Sequence, residues 1–172
     1  MQQRSVLDWA TQYVARSLSV IPVKADGSKA PALRGWTEYQ TKLPTYAELD
    51  QWFGSDQHGI GIVCGPASGN LVVLDFECRN GVSAYDQWKQ SLPSELIREL
   101  VHCPVVVTPS GGRHVWVRLP LSVPGGKLAK YASGSCKIEV RGLGHQVLAP
   151  GCPLGCHKSG EPYKFENEGW LT

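Results

Sequence analysis

The sequence lacks a long hydrophobic run, and this absence argues against a membrane-spanning helix. No apolar stretch among its 172 residues approaches the roughly 20 residues that cross a bilayer. The first residues, MQQRSVLDWATQYV, also lack the apolar core and the small-residue cleavage site of a secretory signal. We therefore expect a cytoplasmic protein that has no membrane partner.

The sequence also has little net charge and no disulfide-like spacing of its cysteines. The formal net charge of +2 is too small to indicate a nucleic-acid-binding protein by itself. The six cysteines are scattered and form no CxxC pair, so we expect a reducing compartment. Cys152, Cys156 and His157 form one cluster of metal-type ligands, but a second pair is missing and a zinc site is not expected.

Capping signals and apolar periodicity predict three helical segments. The segment 5–18 repeats apolar residues near the helical period, and Ser5 begins it with an acid three residues on. The segment 45–53 begins with the same pattern. The third segment covers roughly residues 82–100, with an interruption at Pro93.

Apolar runs bounded by glycine, proline and asparagine predict several strands. GIGIVCG (59–65) and LVVLDFE (71–77) are predicted to form a hairpin, and VVVTPSGGRHVWVRL (105–119) holds two strands around a Gly-Gly turn. CKIEVRG (136–142) and HQVLAP (145–150) are predicted to pair around GLG. Single strands are expected at LSVIPV (18–23) and in the tail GEPYKFENEGWLT (160–172). The order predicts an α+β fold with a mixed, largely antiparallel sheet flanked by helices.

Three acids fall on predicted strands. Asp75 and Glu77 end one strand and share a face, because side chains alternate across a strand. Glu139 lies between apolar neighbours in another strand and shares a face with Arg141. Two like charges side by side are unfavourable without a cation between them. If the acids meet on one sheet, they suit two Mg²⁺ or Mn²⁺ ions and phosphoryl transfer.

A glycine-rich turn precedes His114, which can donate a hydrogen bond to a phosphate. The backbone amides of Gly111 and Gly112 are expected to be exposed and to form an anion-binding nest. Ser110 either reaches a phosphate or caps the turn. Arg113 and Arg141 either hold phosphates or pair with the acids, and each element also has an ordinary structural interpretation.

Taken in order, these segments resemble the N-terminal domain of bifunctional DNA primase-polymerases, the Prim-Pol branch of the archaeo-eukaryotic primase superfamily. The resemblance covers nearly the whole chain, and its specificity comes from the ordered set of motifs. The matching stretches are YVARSLSVIPV, GSKAPALRGWTEYQ, LPTYAELDQWF, GIGIVCGPASGNLVVLDFE, VVVTPSGGRHVWVR, IEVRGLGHQVLAPG and HKSGEPYKF. The resemblance implies the two-lobed primase fold in a single catalytic domain, 1–172. Lys29 lies in one of these stretches, and the residues alone assign it no role.

The resemblance also implies roles for individual residues. Asp75 and Glu77 match the first motif, an acid-x-acid pair that binds catalytic metal. His114 matches the histidine that contacts the nucleotide triphosphate, and Gly112 stands where the family often has serine. Glu139 matches a position that is usually aspartate, and its extra methylene changes the expected metal geometry. The expected nucleotide-binding set is Ser110, Gly111, Gly112, Arg113, His114 and Arg141.

The expected activity is template-dependent nucleotidyl transfer with Mg²⁺ or Mn²⁺, acting as a DNA primase and polymerase. The expected partners are single-stranded DNA template or primer-template, nucleoside triphosphates and a helicase domain or protein, in a replicon of a plasmid, phage or mobile element. Family members often continue beyond this domain, so the sequence leaves open whether the chain is a fragment. Two alternatives remain, a metal-dependent nuclease or phosphodiesterase and a catalytically inactive nucleic-acid-binding module.

Overall fold

Two helices open the fold, and both begin with the predicted capping boxes. The computed structural model describes residues 4–171. Helix α1 (Val6–Ala15) is capped by Ser5, and helix α2 (Tyr46–Phe53) is capped by Thr45. Helix α1 ends three residues earlier than predicted, because Ser17 adopts a left-handed conformation with φ 56° and turns the chain into the first strand.

Eleven strands and two further helices are described within residues 4–171. Helices α3 (Ala84–Gln90) and α4 (Ser94–Leu100) occupy the predicted third helical segment, on either side of the expected interruption. The strands are β1 (Val20–Lys24), β2 (His58–Val63), β3 (Leu71–Phe76), β4 (Cys78–Arg79), β5 (Val82–Ser83), β6 (Val105–Val107), β7 (Arg113–Arg118), β8 (Gly126–Lys130), β9 (Cys136–Arg141), β10 (Gln146–Leu148) and β11 (Lys164–Asn167).

The strands form two main sheets and one small hairpin. The three-stranded sheet has the order β1-β2-β10, and the six-stranded sheet has the order β11-β6-β7-β3-β9-β8. Neighbouring strands in both sheets are antiparallel. Strands β4 and β5 pair separately, directly before α3. The predicted pairing of β6 with β7 and the predicted strand in the tail are confirmed.

The predicted hairpin of β2 with β3 is wrong, because the two strands belong to different sheets. Strand β2 lies between β1 and β10, whereas β3 lies between β7 and β9. Gly65 and Gly69 have φ of 97° and 67°, and the short 3-10 helix Pro66–Ser68 lies between them. These left-handed residues redirect the chain, and an isolated bridge pairs Gly65 with Leu71 between the two segments.

The predicted pairing of β9 with β10 is also wrong. Strand β9 pairs with β3 and β8, and β10 crosses to pair with β2 in the other sheet. Gly142 allows this crossing, because a Cβ at that position would lie 2.3 Å from the Val123 carbonyl oxygen. Gly144 follows with φ 81°. The loop therefore connects the two sheets instead of closing a hairpin.

Two hydrophobic cores lie on opposite faces of the six-stranded sheet. Val73, Val106 and Trp116 belong to the larger core, which includes residues of α1, α2 and the three-stranded sheet. Phe76 and Val115 belong to the smaller core, which includes residues of α3. Strand alternation divides these residues between the two faces. Among residues 4–171, no helix has the length and apolarity needed to cross a bilayer.

Candidate active site between the two sheets

The site is built on β3, the strand that holds Asp75 between two partners. Asp75 lies opposite His114 on β7 and opposite Glu139 on β9 in the register of the sheet. Residues opposite each other in an antiparallel pair project from the same face, at Cβ separations of about 4.5–5.5 Å. The structure therefore brings together three of the predicted residues, although they come from distant parts of the chain.

Arg141 lies between two of these carboxylates. Its Nη2 and Nε atoms donate to Oδ2 of Asp75 at 3.0 and 3.2 Å. The same Nη2 lies 3.1 Å from Oε2 of Glu139. The guanidinium thus supplies the positive charge that the two neighbouring acids require.

Asp75 is mostly buried, and its surroundings strongly favour the ionised form. Burial on its own raises the pKa, but His114 and the Arg141 guanidinium outweigh it and lower the pKa to about 2. The His114 contact is long, with Nε2 3.5 Å from Oδ1 of Asp75. Asp75 is therefore a carboxylate at neutral pH and is available to a cation.

Glu77 lies two residues after Asp75, and its pKa is shifted in the opposite direction, upward. Burial raises its pKa most, the charge of Asp75 adds to this, and Glu139 contributes as well. Lys29 and Arg141 partly oppose the rise in pKa. These effects show that the three acids share one electrostatic environment, in which an added cation would stabilise all of them.

The His114 side chain is buried next to Asp75. Its side chain is 8% exposed, and its ring centre lies 6.2 Å from that of Tyr163. Within residues 4–171, its Nδ1 atom is buried and has no hydrogen-bond partner. Since an unpaired buried nitrogen is unfavourable, its presence here is typical of a functional group rather than a structural one.

A pocket of about 250 Å³ opens between the two sheets beside Asp75. Asp75 and His114 line it from the six-stranded sheet, and Gln146 lines it from β10. Lys29 reaches the same pocket from the loop after β1, where Gln146 Nε2 donates to the Lys29 carbonyl oxygen at 3.0 Å. The full lining is Lys29, Asp75, His114, Arg141, Gln146, Val147, Leu148 and Tyr163.

Lys29, Gln146 and Tyr163 are pocket residues that the sequence did not identify. Each lies in a stretch that resembles the primase-polymerase family, and this resemblance is the one sequence feature that could have pointed to them. These residues meet because the loop after β1 folds back to the pocket and because β10 crosses to the three-stranded sheet. Neither feature can be predicted from the local sequence pattern.

The structure does not bring Arg113 to this group. Arg113 lies opposite Phe76, one residue out of phase with His114, so it projects from the other face of the sheet. There its Nε donates to Glu166 at 2.6 Å. Arg113 therefore forms an ion pair, as one alternative proposed, but with an acid outside the site.

The glycine turn before β7 is tighter than expected. The Gly111 amide donates to the Thr108 carbonyl at 2.9 Å, so it is used within the turn and does not form an exposed anion nest. The Ser110 hydroxyl lies 3.3 Å from that of Thr108. A Cβ on Gly112 would lie 2.3 Å from the Phe76 carbonyl oxygen, which explains the glycine at this position.

Carboxylate oxygens suit a hard divalent ion, so the chemistry of the acids fits Mg²⁺ or Mn²⁺. As arranged, however, no three His, Cys, Asp or Glu side chains within the described part of the chain converge into a ready-made ion site. Arg141 contacts both Asp75 and Glu139, two of the acids that would hold such an ion. In the CPLGCH segment, the Cys152 sulfur accepts a hydrogen bond from the Ile60 amide at 3.1 Å. The Nδ1 atom of His157 contacts the Ser159 hydroxyl.

The fold and the site define a class of α+β protein in which a pocket that contains Asp75 and His114 lies between a six-stranded and a three-stranded antiparallel sheet. Residues 10–171 match the sequence profile described as bifunctional DNA primase/polymerase, N-terminal. The chain belongs to this family, and the predicted fold class is confirmed. No curated protein sequence matches the chain significantly. At the level of the family, the activity is that of a DNA primase/polymerase.

Proposed function

We propose that this chain is a template-dependent nucleotidyltransferase that joins nucleotides to a 3′-hydroxyl on DNA. One observation carries the proposal: Asp75 lies in register with both Glu139 and His114, at the edge of a pocket between the sheets. Three acids and an imidazole at a cleft suit transfer of a nucleotidyl group better than binding alone.

Asp75, Glu77 and Glu139 are the residues proposed to hold Mg²⁺ or Mn²⁺. Such ions lower the pKa of an attacking hydroxyl and offset charge on the leaving pyrophosphate. The ionised state of Asp75 favours this role, since its pKa is held at about 2. Arg141 must leave its position between Asp75 and Glu139, and it then becomes available for the phosphates of the incoming nucleotide.

The pocket beside these acids is proposed to bind the triphosphate. Lys29 and Arg141 supply positive charge, and His114 supplies a hydrogen-bond donor at a fixed position. The 250 Å³ pocket opens directly onto Asp75, so a bound triphosphate would have its reacting phosphate near the acids. Holding both reactants in a fixed orientation lowers the activation barrier, because their loss of freedom has already occurred on binding.

Single-stranded DNA template or primer-template is the proposed partner, and a helicase domain or protein is proposed to act with it. Contacts with the DNA backbone would weaken as salt rises, because phosphate binding releases counterions.

The deciding experiment incubates the chain with a single-stranded template, deoxy- or ribonucleotides, and Mg²⁺ or Mn²⁺, with and without a primer. The proposal expects labelled product from the unchanged chain and none from Asp75→Asn. Release of nucleotides from DNA without added triphosphates would identify a nuclease instead. Binding without incorporation under every condition would identify an inactive nucleic-acid-binding module, which the position of Arg141 favours as the second candidate.

A further inference from the structure

Two free cysteine thiols meet over strand β2. Cys152 lies in the loop after β10, and Cys156 ends the short 3-10 helix Leu154–Cys156. A Cβ at Gly59 of β2 would lie 2.3 Å from the Sγ atom of Cys156 and 3.2 Å from that of Cys152. Both sulfur atoms therefore lie within 3.2 Å of one point, in the space that the missing side chain of Gly59 leaves open.

The two thiols also interact with each other. A hydrogen bond from the Cys152 thiol lowers the pKa of Cys156. Burial raises the pKa of Cys152, and the neighbouring Cys156 raises it further. Cys156 is therefore the thiol that loses its proton more readily, and a thiolate beside a second thiol is typical of pairs that oxidants convert to a disulfide.

An open groove of about 980 Å³ gives small molecules access to the pair. Cys152 lines this groove together with Trp9 and Leu154, and it is 9% exposed. Cys156 is 1% exposed and lies beside Cys152. Hydrogen peroxide, which is little larger than water, can therefore reach thiols that are closed to large reagents.

The loop that carries the two thiols packs against the segment that carries Lys29. Gly155 lies between the two cysteines, and a Cβ there would lie 2.7 Å from the Ala25 carbonyl oxygen. Burial lowers the pKa of His157, and the charge of Lys29 lowers it further. Lys29 itself has φ 61°, which is unfavourable for a lysine, so its conformation depends on the residues around it.

We propose that Cys152 and Cys156 form a reversible disulfide on exposure to hydrogen peroxide, and that this bond moves the Lys29 segment and weakens nucleotide binding. A sulfur–sulfur bond is about 2 Å long, shorter than the hydrogen bond that it replaces, so the two cysteines must move together. Gly155 moves with them and displaces the backbone that it contacts at Ala25. The effect on nucleotide binding rests on the proposed function, whereas the disulfide and the movement of the segment do not.

The oxidation proceeds in two steps that balance. One sulfur, as the thiolate, attacks an oxygen of hydrogen peroxide and becomes a sulfenic acid, and the departing hydroxide takes up the proton that the thiol released. The second thiol attacks the sulfenic sulfur, the disulfide forms and water leaves. The two sulfur atoms are oxidised, and one peroxide is reduced to two waters. A dithiol reductant reverses the reaction by thiol–disulfide exchange.

The test begins with the unchanged chain, reduced with dithiothreitol and then treated with hydrogen peroxide. Free thiols are blocked with iodoacetamide in denaturant, and the chain is digested with trypsin. Cleavage after Arg141 and Lys158 leaves both cysteines on one peptide, 142–158, so the disulfide appears as a peptide that is not alkylated and is lighter by two hydrogen atoms. Amide hydrogen exchange over residues 25–29 and the KM for nucleotide are measured in both redox states.

Two variants identify the thiols that react. Cys156→Ser removes one member of the pair, and Cys103→Ser removes a free thiol outside it as the matched control. Far-ultraviolet circular dichroism checks that each variant is folded. The comparison of the unchanged chain before and after oxidation needs no substitution, so it holds even if Cys156→Ser does not fold.

The unchanged chain and Cys103→Ser should form the lighter peptide, exchange faster over residues 25–29 and show a roughly fivefold or greater rise in the KM for nucleotide. Dithiothreitol should reverse all three changes, and Cys156→Ser should show none of them. Alkylation of both cysteines after peroxide, or oxidation that stops at a sulfenic or sulfinic acid, overturns the disulfide. A disulfide that leaves exchange over residues 25–29 unchanged overturns its link to Lys29. Faster exchange in a chain that incorporates no nucleotide in either redox state contradicts the proposed function instead.

Discussion

Arg141 donates two hydrogen bonds to one carboxylate oxygen of Asp75, at 3.0 and 3.2 Å. The same guanidinium contacts Glu139, so a single side chain satisfies two acids that face each other across β3 and β9. The arrangement is stable without an added ion, and it also marks the place where positive charge is most needed. The divalent ion that we propose would therefore compete with Arg141 for the same carboxylates.

Replacing Asp75 by asparagine should abolish incorporation while the fold survives. The substitution keeps the shape of the side chain and removes the charge that the proposed metal requires. We expect at least a roughly 100-fold fall in kcat in a primer-extension assay, comparable to the loss of one fixed electrostatic contact in other sites. Glu166→Gln, which changes an acid that pairs with Arg113 outside the site, is the control. Normal extension by Asp75→Asn would place the chemistry elsewhere.

Replacing Arg141 by glutamine should make the protein depend on divalent ions for its stability. Asp75 and Glu139 then face each other without a cation, and we expect a loss of about 1–2 kcal/mol in the free energy of unfolding in EDTA, since the pair is partly exposed. Mn²⁺ should restore more stability to the variant than to the unchanged chain. Urea unfolding with and without Mn²⁺ measures both quantities, with Arg98→Gln as control. Equal stabilisation of both proteins by Mn²⁺ would argue against competition.

The local sequence pattern is enough to predict which side chains share a face of the sheet, but it does not predict every residue that lines the pocket. Strand alternation correctly put Glu139 and Arg141 on one face, where their side chains are in contact. The same rule implies that Arg113 and His114 point to opposite faces, so Arg113 could have been excluded from the site by sequence alone. Lys29 could not have been included, because it reaches the pocket only through the return of a long loop.

The two wrong pairings have one physical cause. Neighbouring apolar strands with a short connection favour a hairpin, and this local preference predicted β2 with β3 and β9 with β10. Both connections instead contain glycines in left-handed conformations or in close contact with backbone, which send the chain to the other sheet. The sequence shows the glycines, but the choice of sheet depends on burial against distant strands.

The stability contributed by Asp75 should disappear in acid. Its pKa is lowered to about 2 in the folded state, compared with about 3.9 in an unfolded chain, so its ionised form stabilises the fold above about pH 4. This contribution, about 2 kcal/mol in size, is lost as pH falls from about 4 toward 2. Urea unfolding of the unchanged chain and of Asp75→Asn across this range should show their difference shrinking. A difference independent of pH would contradict the assigned cause.

Replacing Lys29 by methionine should weaken nucleotide binding without affecting DNA binding. Lys29 lines the pocket beside His114 and Arg141, where it is proposed to contact the triphosphate. Because a hydrogen bond to a charged group contributes about 1.5–3 kcal/mol, we expect the KM for nucleotide to rise roughly tenfold or more. Lys164→Met, an exposed lysine on β11, is the control. Equal KM values for both variants would remove Lys29 from the proposed triphosphate site.

Introducing serine at position 112, the residue that the family resemblance suggests for this position, should destabilise this chain. A Cβ at Gly112 would lie 2.3 Å from the Phe76 carbonyl oxygen and 3.1 Å from the Thr108 hydroxyl oxygen. Backbone must move to relieve the first contact, so we expect a loss of about 1–3 kcal/mol in the free energy of unfolding. Gly126→Ser is the matched control, because a Cβ there meets nothing within 4 Å. Because β3 and β7 would separate at Phe76, Gly112→Ser should also shift His114 away from Asp75 and lower kcat. Equal stability of Gly112→Ser and Gly126→Ser would contradict the prediction, since it would show that the two strands already have room for the extra atom.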